Sequence, residues 1–217
     1  MSTNLSLHHV GEVILSGLLT GLARDDLLGA VPCKLHADCS LLSIMRSANV
    51  TPPYSFDVNV PLAPVVLGGD TLGFDGAHGV DVLCHNGHRG LPIEAKLGLD
   101  RLSCAAFTER FLKQPRMSEH SPPRCNGSMT AILNYRCIGE SDLLTLRTET
   151  PATELTSSWV LVVRTKTWER WTARPILANA HVVVFEDVAS AHGDSTAFDR
   201  LVLQQIGGGF HSAWEVF

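Results

Sequence analysis

Two short, almost wholly apolar runs late in the chain limit the fold more than any other stretch. Trp159-Val-Leu-Val-Val-Arg164 and His181-Val-Val-Val-Phe185 are rich in β-branched residues and show no polar–apolar alternation. A strand that is apolar at successive positions is buried on both faces, so structure must cover it from two sides. Other segments supply the cover. Residues from about Leu5 to Leu28 repeat apolar positions at helical spacing, weakened by Gly11, Gly17 and Gly21. Asp38 is placed to cap a short helix through Arg46, and Asp100 to cap one through about Lys113. Tyr54–Val60 alternates like a strand with Phe56, Val58 and Val60 on one side, and Val65–Leu67 reads as a further short strand. Gly79–Cys84 and Leu91–Lys96 read as two strands around the turn Asn86-Gly87-His88-Arg89. Thr196–Ile206 reads as a helix ended by Gly207-Gly208-Gly209. Strands interleaved with helices predict an α/β fold with a central mixed β-sheet flanked by helices. Gln114–Gly127, with Pro115, Pro122 and Pro123, reads as a loop or linker. Its flanks are too short for two independent cores, which predicts a single domain over residues 1–217.

Composition narrows the class. Charged residues are 18% and hydrophobic ones 45%, which excludes a disordered chain. No uncharged run reaches the roughly 18–20 residues of a membrane helix. The apolar start lacks a basic n-region and is interrupted by Glu12, so no signal peptide is read and a cytoplasmic protein is expected. A mean hydropathy of +0.12 points to a well-buried sheet or an oligomer interface, such as that of a homodimer. The net charge of −5 excludes a uniformly basic nucleic-acid coat. Residues 101–174 are nevertheless net positive by 4, against negative flanks. Arg110, Lys113, Arg116 and Arg124 fall within fifteen residues there and suit a DNA backbone, or else an ordinary solvated helix end. Arg164, Lys166, Arg170 and Arg174, interleaved with Trp168 and Trp171, suit stacked bases less well than tryptophans packed into an interface.

The chemistry-bearing constellation is Asp81, Glu94 and Lys96. On a strand, Glu94 and Lys96 project from the same face. A hairpin centred between Gly87 and His88 pairs residues whose numbers sum to 175 and sets Asp81 across from Glu94, with Cβ atoms about 5 Å apart. Facing carboxylates repel unless a cation lies between them. An oxygen-liking divalent ion such as Mg²⁺ fits two carboxylates, a carbonyl and waters. A lysine beside them can hold a water or stabilise developing negative charge, which suits hydrolysis of a phosphodiester.

Asp81, twelve intervening residues and then Glu94-Ala95-Lys96 resembles the PD-(D/E)xK signature of restriction-endonuclease-like nucleases. The segments near Leu5–Leu28, Tyr54–Val60, Gly79–Cys84, Leu91–Lys96, Asp100–Lys113 and Trp159–Arg164 follow that family's order of helix, three-strand meander, helix and strand. The resemblance implies a restriction-endonuclease-like core and a Mg-dependent DNA nuclease, with Mn²⁺ as a substitute, in a restriction or defence setting. It implies that Asp81 and Glu94 ligate the metal, that the Ala95 carbonyl assists and that Lys96 positions the attacking water. Glu12 matches the extra glutamate that some members carry on the first helix. Val80 stands where the signature has proline, Pro92 interrupts the third strand, and no Gln-x-x-x-Tyr element follows. Two other readings stay open. One is a catalytically inactive nucleic-acid-binding or assembly protein on the same fold. The other is a small zinc protein built on Cys33, His36 and Cys39, with Cys84, His85 and His88 as further candidates. Asp75, followed by glycine, reads as a turn residue rather than a ligand.

Overall fold

The computed structural model describes residues 7–67, 69–74, 79–98, 102–118, 121, 123–136 and 144–193. Helix α1 (Leu7–Arg24) leads through a 3-10 turn (Leu28–Ala30) to α2 (Leu41–Ser47). Strands β1 (Ser55–Pro61), β2 (Val65–Leu67), β3 (Asp70–Phe74), β4 (Gly79–His85) and β5 (Arg89–Lys96) follow. Then come α3 (Cys104–Phe111), β6 (Arg116–Ser118), β7 (Arg124–Asn126), α4 (Met129–Tyr135) and β8 (Glu154–Leu155). The described chain ends with β9 (Trp159–Val163), α5 (Thr165–Arg170), β10 (Ala180–Val184) and α6 (Phe185–Ala191). Among the described residues, no helix is long and apolar enough to cross a membrane.

The central sheet is mixed, in the order β1-β4-β5-β9-β10, with β8 also beside β5. β1, β4 and β5 form an antiparallel meander, while β9 lies parallel to β5 and β10 parallel to β9. Every residue of β9 is buried, as its unbroken apolar run requires. Its side chains alternate between two cores. Val160 and Val162 join Leu15, Leu19 and Leu22 of α1, Ile44 and Met45 of α2 and Val188 of α6 on one face. Trp159, Leu161 and Val163 join Phe107 of α3, Ile132 and Leu133 of α4 and Trp171 on the other. Fully burying one such side chain stabilises the fold by about 1.5–3 kcal/mol, and the two cores do so on both sides of one strand.

Several local expectations are corrected. Ser40, not Asp38, caps α2: its hydroxyl accepts from the Ser43 N–H at 3.3 Å and the Ser43 hydroxyl accepts from the Ser40 N–H at 2.9 Å, a reciprocal capping box. Ser103 caps α3 by accepting from the Ala106 N–H, while Asp100 lies outside the described residues. Glu186 and Asp187 lie in the first turn of α6. The stretch read as a linker contributes β6 and β7 to a second sheet, ordered β2-β3-β7-β6. Three-residue strands between prolines are too short to display a period. Phe56 and Val60 were expected on one side of β1, yet Phe56 packs in the α1 core and Val60 in the α3–α4 core, while Val58 is 38% exposed. The cause is Asn59, whose φ of 51° is left-handed and turns the strand over. Asp75, Thr196–Ile206 and Gly207–Gly209 lie outside the described residues.

Candidate active site

The β4–β5 hairpin pairs Val82 with Ile93, Leu83 with Pro92, Cys84 with Leu91 and His85 with Gly90. This is the register that the turn predicted. Asn86 fixes the turn, its side-chain carbonyl accepting from the N–H groups of His88 and Arg89 at 3.2 and 3.0 Å. Pro92 causes no break in the β4 ladder. On the other side of β5, the neighbour changes from β8 at Arg89 and Gly90 to β9 at Ile93–Lys96. The missing proline donor falls at that change of partner, where it costs no ladder hydrogen bond.

One residue beyond Val82, a side chain takes over from the ladder. Asp81 Oδ2 accepts the Ala95 N–H at 2.8 Å. The β1–β4 register, Val58 with Val82 and Val60 with Val80, sets the bend at Asn59 opposite Asp81. The carboxylate therefore sits where the sheet departs from regular pairing. Glu94 and Lys96 emerge beside it on the α3–α4 face. Lys96 Nζ donates to Asp81 Oδ2 and to Glu94 Oε2, both at 2.9 Å, and lies 3.5 Å from the Ala95 carbonyl oxygen. The cation that facing carboxylates demand is here the ammonium of Lys96. Glu94 is 1% exposed. Its Oε2 also accepts from the Thr130 hydroxyl at 3.1 Å, whereas its Oε1 is buried without a hydrogen-bond partner.

Glu12 belongs to the same site. Gly11 of α1 packs so closely on the end of β5 that an added Cβ would lie 3.2 Å from Leu97 Cδ1. This approach brings Glu12 within electrostatic reach of Asp81, Lys96 and Glu94. Burial, and then the charge of Asp81, push the Glu12 carboxyl up to about 7 against the pull of Lys96. Burial and the Asp81 charge likewise raise Glu94, opposed by Lys96 and the Thr130 hydrogen bond. Burial alone would lower Lys96, but Glu94 and Asp81 hold it above the usual lysine range. Lys96 is therefore an ammonium at neutral pH, a hydrogen-bond donor and not a base.

The donor set suits a hard cation. Carboxylates and a backbone carbonyl are the oxygen donors that hard cations take, and one buried Glu94 oxygen has no partner. With Lys96 between Asp81 and Glu94, however, the carboxylates of Glu12, Asp81 and Glu94 do not all lie within 4.8 Å of one another. Two contributors were not anticipated. Thr130 lies on α4, a seven-residue helix between Ser128 and Arg136 that was not read from the sequence. The cue was Ser128 ahead of an apolar run, since its hydroxyl accepts from the Ala131 N–H as an N-cap. Phe111, at the end of α3, lies 5.8 Å from Lys96 Nζ.

The four basic candidates divide into two groups. Arg110 stacks 5.1 Å from the Phe111 ring, next to the site, and Lys113 pairs with Glu109 one turn back. Arg116 and Arg124 are exposed on β6 and β7 of the second sheet. Trp171 is not a stacking platform: it is 1% exposed and donates its ring N–H to the Leu102 carbonyl at 3.1 Å. Trp168 carries the Arg174 guanidinium 3.8 Å above its ring. Arg164 pairs with Glu186 at 2.5 Å.

A second cluster lies at the far edge of the central sheet. The ligand atoms of Cys33, Cys39 and His181 all lie within 4.8 Å of one another. His36, expected among the ligands, is not in this trio, although its ring lies 6.1 Å from that of His181. Cys84 is buried and its thiol pushed up by desolvation, and His85 is engaged with Asp57 at 3.0 Å; neither joins the cluster. Comparison with protein-family models, with curated proteins and with solved structures finds no match for the chain.

Proposed function

We propose that this protein is a Mg²⁺-dependent nuclease that hydrolyses DNA phosphodiester bonds at the Asp81–Glu94–Lys96 site. The observation that carries the reading is the meeting of Asp81, Glu94 and Lys96 within hydrogen-bond distance beside an unpaired buried carboxylate oxygen. The helix, meander, helix and parallel strand formed by α1, β1-β4-β5, α3 and β9 support the resemblance to the PD-(D/E)xK nucleases. In this reading Asp81, Glu94 and the Ala95 carbonyl hold the metal, and Glu12 adds a carboxylate from α1. A divalent cation so bound, Mg²⁺ or Mn²⁺, supplies a Lewis acid for the phosphate and leaving oxygens.

The chain's own groups do the rest. Lys96, charged at neutral pH, orients the attacking water through its N–H donors and offsets negative charge growing on the phosphate. Thr130 keeps one oxygen of Glu94 hydrogen-bonded, which favours its ionised form. Arg110, beside Phe111, and Arg116 and Arg124 on the second sheet contact the DNA backbone. A restriction or defence role, acting as a homodimer on a symmetric duplex, fits this chemistry.

The test is cleavage of plasmid and linear DNA with Mg²⁺, Mn²⁺ or EDTA by the wild type, Lys96→Ala and Glu94→Ala. Cleavage should need the metal and fall by roughly 100-fold or more in both variants. Equal cleavage by all three proteins, or DNA binding that is indifferent to EDTA with no cleavage under any condition, would overturn the proposal.

A further inference from the structure

We propose that Cys33, Cys39 and His181 bind one Zn²⁺ ion, which fastens the 31–40 loop onto the edge strand β10. The site is separate from the carboxylate site, and nothing in its argument depends on nuclease activity.

The loop is already held by its backbone. The Cys33 N–H donates to the Cys39 carbonyl at 2.8 Å and closes the loop on itself. Pro32 and Ser40 form a bridge across its neck. Cys33 also bridges to Val183, and the Lys34 N–H donates to the Val182 carbonyl at 2.8 Å, which lays the loop along β10. These bonds bring two thiols from one loop against an imidazole from a strand far along the chain. Nδ1 of His181 is buried and makes no hydrogen bond of good geometry, while the Cys33 thiol stands against the same imidazole; a metal bond would satisfy both. The Ser43 hydroxyl lies 3.5 Å from Cys39 Sγ and supplies outer support to that thiol.

The donor chemistry selects the metal. Two thiols and an imidazole favour Zn²⁺ over the hard cations suited to carboxylates. With Zn–S near 2.3 Å and Zn–N near 2.0 Å, tetrahedral ligand atoms stand about 3.3–3.8 Å apart. A spread within 4.8 Å therefore needs only a small contraction. His36, midway between the cysteines and with its ring 6.1 Å from that of His181, is in reach of the fourth position.

The experiment uses the full chain, purified under reducing conditions and titrated with Zn²⁺, then with Co²⁺ as a spectroscopic substitute. One equivalent should bind, and Co²⁺ should give thiolate charge-transfer absorption with strong visible bands of a tetrahedral site. Cys33→Ser and His181→Gln should each weaken Zn²⁺ binding by at least about 100-fold. Cys104→Ser, on the opposite side of the central sheet from Cys33 and Cys39, should keep one equivalent and the same spectrum. Fewer than about 0.1 equivalents of Zn²⁺ in the wild type would overturn the proposal. So would an unchanged cobalt spectrum in Cys33→Ser, or a Cys33–Cys39 disulfide persisting in reductant. Because His181→Gln removes no thiol and conserves side-chain size, it separates lost ligation from a misfolded loop.

Discussion

At the scale of single residues, Glu94 is a buried carboxylate whose charge Thr130 supports. A fully buried carboxylate with one unpaired oxygen resists ionisation, and the threonine hydroxyl is one of two hydrogen-bond donors that favour its charge. Replacing Thr130 by valine keeps the shape and deletes the donor. The Thr130→Val protein should lose about 1–2 kcal/mol of stability, and the proposed DNA cleavage should fall roughly tenfold. A displaced pH–rate profile distinguishes this role from simple packing: the rising limb should move to higher pH, because Glu94 then ionises later. The acidic pair and the lysine were legible because a turn fixes a register, and a register converts sequence spacing into facing positions. Thr130 was not legible, since its contact depends on how α4 lies over the sheet. His181 was equally hidden: Cys33 and Cys39 advertise themselves locally, but their partner is set by the bridge between Cys33 and Val183.

At the scale of elements, close approaches and caps decide where side chains arrive. Gly90 lies in β5 where an added Cβ would stand 2.7 Å from Leu83 Cδ1 and 2.9 Å from Thr153 Cγ2. Both neighbours are buried, so Gly90→Ala should destabilise the protein by about 1–3 kcal/mol, read from the midpoint of urea unfolding. Ser40→Ala should cost about 0.5–2 kcal/mol by the same measurement, because it removes the reciprocal cap of α2. Asp38→Ala should leave the midpoint nearly unchanged, which separates the observed cap from the one that sequence position suggested. Helix α1 and the long strands were readable from their apolar periods, and α2 and α3 in outline, whereas the short helices α4, α5 and α6 were not. The errors gathered where one residue overrides a period: Ser40 and Ser103 as caps, Asn59 as a reversal, and Pro92 at the seam between β8 and β9.

At the scale of the whole molecule, the proposed metal site would link protonation to metal binding through the carboxylates. Glu12 ionises near 7, above its unfolded value of about 4.5. The native state therefore holds a proton that the unfolded chain has released between those values. The contribution of Glu12 to stability is fully present below about 4.5 and is lost as pH rises through about 7. Without divalent metal, the melting temperature should fall from pH 6 to pH 8, and Glu12→Gln should flatten that decline. In the proposed nuclease a cation competes with the same protons, so the rise in melting temperature on adding Mg²⁺ should be larger at pH 8 than at pH 6. A shift independent of pH would separate Glu12 from the metal. The two edges of the central sheet bear on self-association. Residues 33 and 34 already occupy part of β10's outer side. At β1, the Ser16 hydroxyl takes the Phe56 carbonyl at 2.7 Å, Asn59 breaks the pleat and Pro61 ends the strand. Among the described residues, neither margin of the central sheet offers a neighbouring chain a long, straight row of free peptide groups on which to extend it. Two copies joining through the central sheet would therefore have to use its flanking helices or loops rather than extend its strands.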